Sequence, residues 1–157
     1  MLEKLKIKLF ADGADISEIK ELSKNELIKG FTTNPSLMKK SGVKDYKKFA
    51  QDITKIIVDK PISFEVFADD LGEMEKQALE IAKWGNNINV KIPITNTKGQ
   101  PTKDLIKSLS KKKVICNVTA IFTTKQLEEV VDVLSTDTSA ILSVFAGRIA
   151  DTGKDPM

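Results

Sequence analysis

A lysine inside an apolar segment is the residue whose type and position point most clearly to chemistry. Lys91 lies in the run Ile-Asn-Val-Lys-Ile-Pro-Ile-Thr from Ile88 to Thr95, with Gly and Asn residues before it and a glycine after it. Such a run predicts one short buried strand. Partial burial favours a neutral amine over an ammonium ion, and a neutral amine can attack a carbonyl carbon to form a Schiff base. The alternative is an ordinary lysine whose stem lies along the strand while its charged end reaches water.

Histidine is absent from the sequence, and cysteine occurs once, at Cys116. Metal sites built on imidazole and catalysis by a Ser-His-Asp triad are therefore excluded. Cys116 cannot form an internal disulfide, which is typical of a protein from a reducing compartment. Any chemistry must come from Lys, Asp, Glu, Asn, Thr and Ser side chains.

Arginine also occurs once, because Arg148 is the single arginine among the 25 lysines and arginines. Its planar guanidinium group can bind a phosphate or a carboxylate through two parallel hydrogen bonds, which lysine cannot do. Arg148 is therefore a candidate phosphate-binding residue. The alternative is an ion pair with Asp151 that has no role in binding.

The distribution of charge argues against nucleic acids and membranes as partners. The net charge is +3, and the basic residues are scattered rather than gathered into a stripe, so we predict no nucleic-acid binding. No apolar run reaches the length of a membrane span, and the segment from Met1 to Lys6 lacks the hydrophobic region of a signal peptide. We expect no membrane association and a cytoplasmic location.

Short apolar runs alternate with amphipathic segments along the whole chain. The predicted strands are 7–11, 28–32, 62–68, 88–95, 114–120 and 140–144. The predicted helices are 15–22, a turn after Pro35, 45–58, 71–84, 102–109 and 123–134. Asp15 or Ser17 could cap the first helix, and Pro35 suits the first position of the second. Strands that are apolar on both faces indicate a parallel sheet covered by helices, and hence an α/β fold.

Polar residues follow each predicted strand. They are Asp12, Thr32, Thr33, Asn34, Glu65, Lys91, Asn117, Thr119, Ser143 and Arg148. In a β/α barrel the carboxyl ends of all strands converge on one face, so these side chains would meet around one pocket. An open doubly wound sheet would spread them along a crevice instead. The sequence has no glycine-rich phosphate loop of the type found in doubly wound folds, which favours the barrel.

Four of these strand ends together resemble the transaldolases, and in particular their small microbial subfamily, which includes the fructose-6-phosphate aldolases. The segments are Phe-Thr-Thr-Asn-Pro-Ser-Leu at 31–37, Asn-Val-Lys-Ile-Pro at 89–93, Asn-Val-Thr-Ala-Ile-Phe at 117–122 and Ser-Val-Phe-Ala-Gly-Arg-Ile at 143–149. The correspondence extends over residues 8–151, which is nearly the whole chain. It implies a TIM-type (β/α)8 barrel.

The resemblance assigns a catalytic role to four residues. Lys91 would form a Schiff base with the ketose carbonyl, and Glu65 would act through a water molecule as general acid and base. Asp12 would accept the proton of the C4 hydroxyl group when the C3–C4 bond breaks. Thr119 would help to position the water molecule used by Glu65.

The resemblance also implies a set of substrate-binding residues and no metal site. Asn34 and Asn117 would hydrogen-bond the donor hydroxyl groups, Ser143 would line the dihydroxyacetone end of the pocket, and Arg148 would bind the sugar phosphate. Thr33, in the same motif as Asn34, completes this set. No cofactor is expected, because the lysine iminium ion is itself the electron sink.

The implied reaction transfers a dihydroxyacetone unit from a ketose phosphate, either sedoheptulose 7-phosphate or fructose 6-phosphate, to an aldose phosphate in the pentose phosphate pathway. One alternative is an aldolase that cleaves fructose 6-phosphate. Relatives of that type have glutamine at the position of Glu65 and tyrosine at the position of Phe145, so these residues favour transfer. A second alternative is a non-catalytic fragment that only binds a phosphosugar.

The length predicts a single domain over residues 1–157, with only about six of the eight β/α units that the resemblance implies. We therefore expect the chain to be truncated before strands seven and eight. The apolar edges of strands one and six would then be exposed. We further expect sugar phosphates as partners and a homo-oligomeric assembly.

Overall fold

The computed structural model describes residues 6–156, so the first five residues of the amino-terminal segment and Met157 lie outside the described part. The chain divides into two compact units. Unit 1 contains residues 6–65 and 80–89, and unit 2 contains residues 66–79 and 90–156. Among the residues described, no helix is long and apolar enough to cross a membrane.

Unit 1 is built on three parallel strands that pair in chain order. The strands are β1 (Leu9–Asp12), β2 (Ile28–Thr32) and β3 (Ile62–Glu65). The helices are α1 (Ile16–Ser23), α2 (Pro35–Lys40) and α3 (Tyr46–Ile56). Because the strands run in one direction, the residues that follow them lie at the same edge of the sheet.

All three helices of unit 1 begin at a side-chain cap. The Oδ1 atom of Asp15 accepts a hydrogen bond from the Glu18 amide at 2.9 Å, and Asp45 accepts one from the Lys48 amide at 2.9 Å. Asn34 caps α2, and Pro35 occupies the first turn of that helix. A cap of this kind contributes about 1 kcal/mol, because it pairs an amide that the helix itself leaves without a partner. The cap predicted at Asp15 and the place predicted for Pro35 are confirmed.

An aromatic cluster fixes the position of β3 in the core of unit 1. Phe64, on β3, is fully buried. The ring of Tyr46, from α3, makes edge-to-face contacts with Phe64 at 5.7 Å and with Trp84 at 5.4 Å between centroids. Each such aromatic pair adds about 0.5–1.5 kcal/mol beyond the burial of its surface.

Unit 2 contains a second set of three parallel strands with β5 in the middle. They are residues 90–93 of β4 (Ile88–Pro93), then β5 (Cys116–Ile121) and β6 (Ala140–Val144). The helices are residues 71–79 of α4 (Leu71–Ile81), then α5 (Lys103–Lys111), α6 (Thr124–Val131) and α7 (Ala146–Ala150). In the register of this sheet Lys91 lies opposite Asn117, and Asn117 lies opposite Ile141.

The two faces of the sheet in unit 2 differ in polarity. Val90, Ile92 and Val118 are fully buried on one face. Helix α5 packs against β5 and contributes the fully buried Ile106. Successive side chains of a strand point to opposite faces. Lys91 and Asn117, which lies opposite it in register, are therefore on the other face, called the polar face below. The apolar face holds the unit together and leaves the second face available for polar groups.

Hydrogen bonds within each unit place β3 and β4 side by side. In unit 1 the amide of Ile62 donates to the carbonyl of Asn87 at 3.0 Å, and in unit 2 the amide of Val66 donates to the carbonyl of Lys91 at 3.2 Å. The strand order is therefore sequential from β1 to β6. A doubly wound sheet would place its first strand beside the fourth, so the order confirms a partial TIM-type α/β fold.

Strand boundaries agree with the sequence predictions at β2 and β6 and differ elsewhere. The third strand was predicted to reach residue 68 but ends at Glu65. Its continuation leaves the ladder because the amides of Phe67 and Ala68 donate to Oε1 of Gln77, at 2.8 and 3.0 Å. Strand β4 ends at Pro93, and Thr95 forms an antiparallel bridge to Pro101 instead.

Candidate active site

Lys91 lies near the carboxyl end of β4, on the polar face of the sheet in unit 2. Its residue is half-buried, and its carbonyl oxygen accepts the hydrogen bond from Val66 described above. Opposite it in register is Asn117, which is 2% exposed. A lysine held on a paired strand has its Cα and Cβ atoms fixed, so its amine moves only through the rotation of the side chain itself.

Asn117 and Ser143 form a side-chain pair beside Lys91 on this face. The Ser143 hydroxyl donates to Oδ1 of Asn117 at 2.7 Å. This bond fixes which way the amide of Asn117 is turned. Ser143 is half-buried on β6. An amine, an amide and a hydroxyl group are thus arranged across three adjacent strands, which suits the recognition of a polyhydroxylated carbonyl compound.

An irregularity in β5 follows Thr119, which lies two residues beyond Asn117 and opposite Pro93. The register with β6 shifts between Val118 and Ile121, and Ala120 adopts a left-handed conformation with φ of 58°. A non-glycine residue in that region costs about 1–3 kcal/mol, and such strain is concentrated at functional sites. The irregularity terminates regular pairing just where Thr119, 5% exposed, joins the polar face.

Arg148 lies on the short helix α7 after β6, a helix that the sequence analysis did not predict. Its Nη1 atom is 3.6 Å from Oδ2 of Asp151, with side chains 74% and 68% exposed. The ion pair considered as an alternative is therefore present. Water screens so exposed a pair strongly, which means that a phosphate could replace Asp151 on the guanidinium group.

In unit 1, Asp12 is exposed at the end of β1. Its Oδ1 atom accepts a hydrogen bond from the hydroxyl of Thr32 at 2.9 Å. The bond turns one oxygen of the carboxylate towards β2, and the other oxygen remains a potential acceptor for a substrate proton. The role of Asp12 as a proton acceptor stays a prediction.

Thr33 and Asn34, which follow β2, are both bonded to backbone groups. Thr33 is fully buried, and both its amide and its hydroxyl donate to the carbonyl of Ser63, at 3.1 and 2.8 Å. Asn34 accepts from the Ser36 amide at 2.8 Å as the cap of α2. These contacts hold the loop after β2 against β3. A substrate-binding role for either side chain remains a prediction.

Glu65 ends β3 and is half-buried. Its backbone amide donates to the hydroxyl oxygen of Tyr46 at 2.7 Å, and that hydroxyl donates to the backbone carbonyl of Glu65 at 3.0 Å. Burial raises the pKa of Tyr46 well above its ordinary value, so the hydroxyl keeps its proton at neutral pH. The sequence analysis missed Tyr46. Its one available signal was that it is the single tyrosine of the chain.

The predicted site residues thus fall into two groups. Unit 2 brings Lys91, Asn117, Thr119 and Ser143 onto one face, with Arg148 on the following helix. Unit 1 places its predicted residues at the ends of β1, β2 and β3. In the part of the chain that the structure describes, no three His, Cys, Asp or Glu side chains are grouped so that they could hold a metal ion.

One family model and several known proteins match this chain, and all of their descriptions name transaldolase. A family model described as Transaldolase/Fructose-6-phosphate aldolase matches residues 9–157. A protein named "Probable transaldolase" from Dehalococcoides mccartyi is 40% identical over 151 residues, which cover 96% of this chain and 66% of that protein. A second of the same name, from Streptococcus agalactiae, is 38% identical over 149 residues, covering 95% of this chain and 65% of that protein.

A third "Probable transaldolase", from Methanococcus maripaludis, is 40% identical over 152 residues, covering 96% of this chain and 66% of that protein. The chain therefore spans slightly less than two thirds of the length of the curated relatives it matches. With the family model matching nearly all of its residues, and with β/α units in sequential order, the chain belongs to the transaldolase/fructose-6-phosphate aldolase family.

Proposed function

We propose that the chain acts as a Schiff-base transaldolase. It would move a dihydroxyacetone unit from sedoheptulose 7-phosphate or fructose 6-phosphate to an aldose phosphate, as in the pentose phosphate pathway. The observation that carries this proposal is the half-buried Lys91 on the polar face, in register with the buried Asn117. The name "Probable transaldolase" of the similar proteins supports it.

In the first step, the amine of Lys91 attacks C2 of the ketose and forms a carbinolamine. Loss of water then gives the iminium ion, with Glu65 supplying and receiving protons through a water molecule held by Thr119. General acid–base assistance of this kind contributes about a hundredfold to ten-thousandfold in rate. Asn117 and Ser143 would hydrogen-bond the hydroxyl groups of the bound sugar during these proton transfers.

In the second step, the carboxylate of Asp12 accepts the proton of the C4 hydroxyl group and the C3–C4 bond breaks. The electron pair of that bond flows to the iminium nitrogen, which leaves an enamine on Lys91 and releases an aldose phosphate. The enamine attacks the carbonyl carbon of the second aldose phosphate, and Asp12 returns its proton to the new hydroxyl group. Hydrolysis of the iminium ion then frees the product and the amine.

Arg148 is the proposed phosphate-binding group, and Thr33 and Asn34 belong to the proposed substrate-binding set. The exposed pair between Arg148 and Asp151 would open when the substrate phosphate binds. A guanidinium–phosphate contact has two parallel charge-assisted hydrogen bonds, whereas the contact with Asp151 involves one nitrogen at 3.6 Å. The exchange would therefore favour the phosphorylated sugar.

Transfer is favoured over simple cleavage by the residue that follows β6. Phe145 packs edge-to-face on Phe122 at 5.8 Å between ring centroids and has no hydroxyl group. It cannot protonate the enamine, so the intermediate would persist until an aldose acceptor arrives. An aldolase would instead release free dihydroxyacetone without an acceptor.

The test is reductive trapping. The full chain is incubated with fructose 6-phosphate and sodium borohydride, and the intact mass and a peptide map are recorded. We expect one adduct, at Lys91. Lys91→Met should abolish the adduct while the thermal midpoint stays within about 3 °C of the original. Methionine is close to lysine in length, so replacing this half-buried side chain should change the stability little.

Lys107→Met is the matched control, because Lys107 is an exposed lysine on α5. It should form the adduct normally. An adduct on other lysines, or none from folded protein, would contradict the proposal. Dihydroxyacetone released in the absence of any aldose would instead support the aldolase alternative.

A further inference from the structure

The hydroxyl group of Tyr46 joins the end of β3 to the segment that follows β2 in unit 1. As described above, it bonds both the amide and the carbonyl of Glu65 at the end of β3. It also makes a hydrogen-bonding contact with the side chain of Thr33, which follows β2. One hydroxyl group therefore contacts two of the three segments of this unit that carry predicted site residues.

Through Thr33, the hydrogen-bond network around Tyr46 also includes a backbone carbonyl of β3. The amide and hydroxyl of Thr33 both donate to the carbonyl of Ser63, two residues before Glu65. Thr33 and Ser63 are each fully buried. A buried network whose polar groups are all paired is rigid, because any movement leaves a buried polar group without its hydrogen-bond partner.

The ring of Tyr46 is held as firmly as its hydroxyl group. It packs edge-to-face between Phe64 and Trp84, and its residue belongs to the first turn of α3, next to the cap at Asp45. The negative charge of Glu65 contributes, after burial, to the raised pKa of Tyr46.

We propose that Tyr46 is a positioning residue for Glu65: its hydroxyl group holds the backbone of Glu65 in the one arrangement from which the carboxylate can act as general acid and base. The inference rests on the function proposed above and adds to it a residue that does not itself contact the substrate. Phenylalanine at this position would preserve the ring contacts and remove only the hydroxyl group.

The test compares Tyr46→Phe with Trp84→Phe in the full chain. In Tyr46→Phe we expect kcat for the transfer reaction, and the rate of borohydride trapping, to fall about tenfold. This is a fraction of the roughly hundredfold to ten-thousandfold that general acid–base catalysis contributes, because the carboxylate is misplaced and not removed. The KM for fructose 6-phosphate should change by less than about twofold, since substrate contacts are untouched.

Trp84→Phe is the control for a purely structural role, because it disturbs the same ring cluster and leaves the hydroxyl group in place. It should lower the thermal midpoint and leave kcat within about twofold. Equal losses of kcat in the two variants, or an unchanged kcat in Tyr46→Phe, would overturn the inference. If Tyr46→Phe does not fold, 3-fluorotyrosine incorporated at Tyr46, the single tyrosine of the chain, takes its place. It weakens the hydroxyl oxygen as the acceptor for the Glu65 amide, and an unchanged kcat would count against the proposal.

Amide hydrogen exchange separates this inference from the proposed function. The Glu65 amide should lose protection in Tyr46→Phe and keep it in Trp84→Phe, since only the first variant removes its acceptor. If the unmodified chain forms no Schiff base, the proposed function fails. The exchange data alone then test whether the Tyr46 hydroxyl holds the backbone of Glu65. Unchanged protection of the Glu65 amide in Tyr46→Phe would disprove it.

Discussion

The two units use their polar residues in different ways. In unit 2 the polar side chains contact one another, as the bond from Ser143 to Asn117 shows. In unit 1, Asp12 also accepts a bond from the Thr32 side chain, but Thr33 and Asn34 bind backbone groups: Thr33 bonds the carbonyl of Ser63, and Asn34 caps a helix. The first arrangement presents side chains on a sheet face, whereas the second fixes the course of loops. We therefore expect changes to these residues of unit 2 to act on the proposed reaction, and changes to Thr33 or Asn34 of unit 1 to act on stability.

The difference between the two units is tested most directly by removing one polar side chain from each of them. Asn117→Ala should slow adduct formation by about tenfold to a hundredfold, because a buried hydrogen bond that is lost costs about 1–3 kcal/mol. Trapping rates at saturating fructose 6-phosphate measure the effect. Asn117→Asp keeps the acceptor for Ser143 and is the matched variant. An Asn117→Ala protein that traps at the original rate would show that the amide of Asn117 takes no part in forming the adduct.

The corresponding change in unit 1 should act on stability. Asn34→Ala removes the cap of α2 and should lower the free energy of unfolding by about 1 kcal/mol. Asn34→Ser keeps a capping oxygen and should restore most of that loss. Urea unfolding of the three proteins measures it. Equal stabilities for all three would mean that the cap contributes nothing and that Asn34 is free for another role.

The smallest expected effect concerns a loop contact within unit 2. Asp69 accepts hydrogen bonds from the amide and hydroxyl of Thr97, at 2.7 and 2.8 Å, after β4. The Thr97 amide, and then its hydroxyl, lower the pKa of Asp69 below its ordinary value of 3.8. A carboxyl group with a lowered pKa in the folded state stabilises above the unfolded pKa, and the contribution is lost as pH falls below it.

Asp69→Asn should therefore lower the thermal midpoint at pH 7 by a degree or two at most, as expected for an exposed contact. The difference between the two proteins should shrink as pH falls from about 4 towards 2, where the carboxylate of the original protein is protonated. Thermal melts across this range measure it. A difference that stays constant with pH would show that the charge of Asp69 has no part in holding the loop.

Several elements were predictable because their signals are local. Strands β2 and β6 agree residue for residue with the prediction, since each is an apolar run between turn residues. The cap at Asp15 and the place of Pro35 follow from the chemistry of a helix start. The alternation of strands and helices was sufficient to predict an α/β fold, and the motifs at the strand ends led to the correct family.

Other features were not predictable because residues distant in the sequence decide them. The end of β3 depends on Gln77, which takes the amides of Phe67 and Ala68 away from the ladder. Neither Gln77 nor the strand carries a local signal of that contact. Helix α7 was missed because a run of five residues shows no usable periodicity.

The sequence by itself determined which side chains are available for chemistry. It places Lys91 in an apolar strand, supplies a single arginine at Arg148, and contains no histidine. Only the tertiary structure decided how they are held. The register of parallel strands sets Lys91 beside Asn117, and the packing of α3 on β3 brings the Tyr46 hydroxyl to the backbone of Glu65. The physical reason is that reactivity depends on the type and burial of a side chain. Register and backbone contacts depend instead on hydrogen bonds and packing between segments that the sequence places far apart.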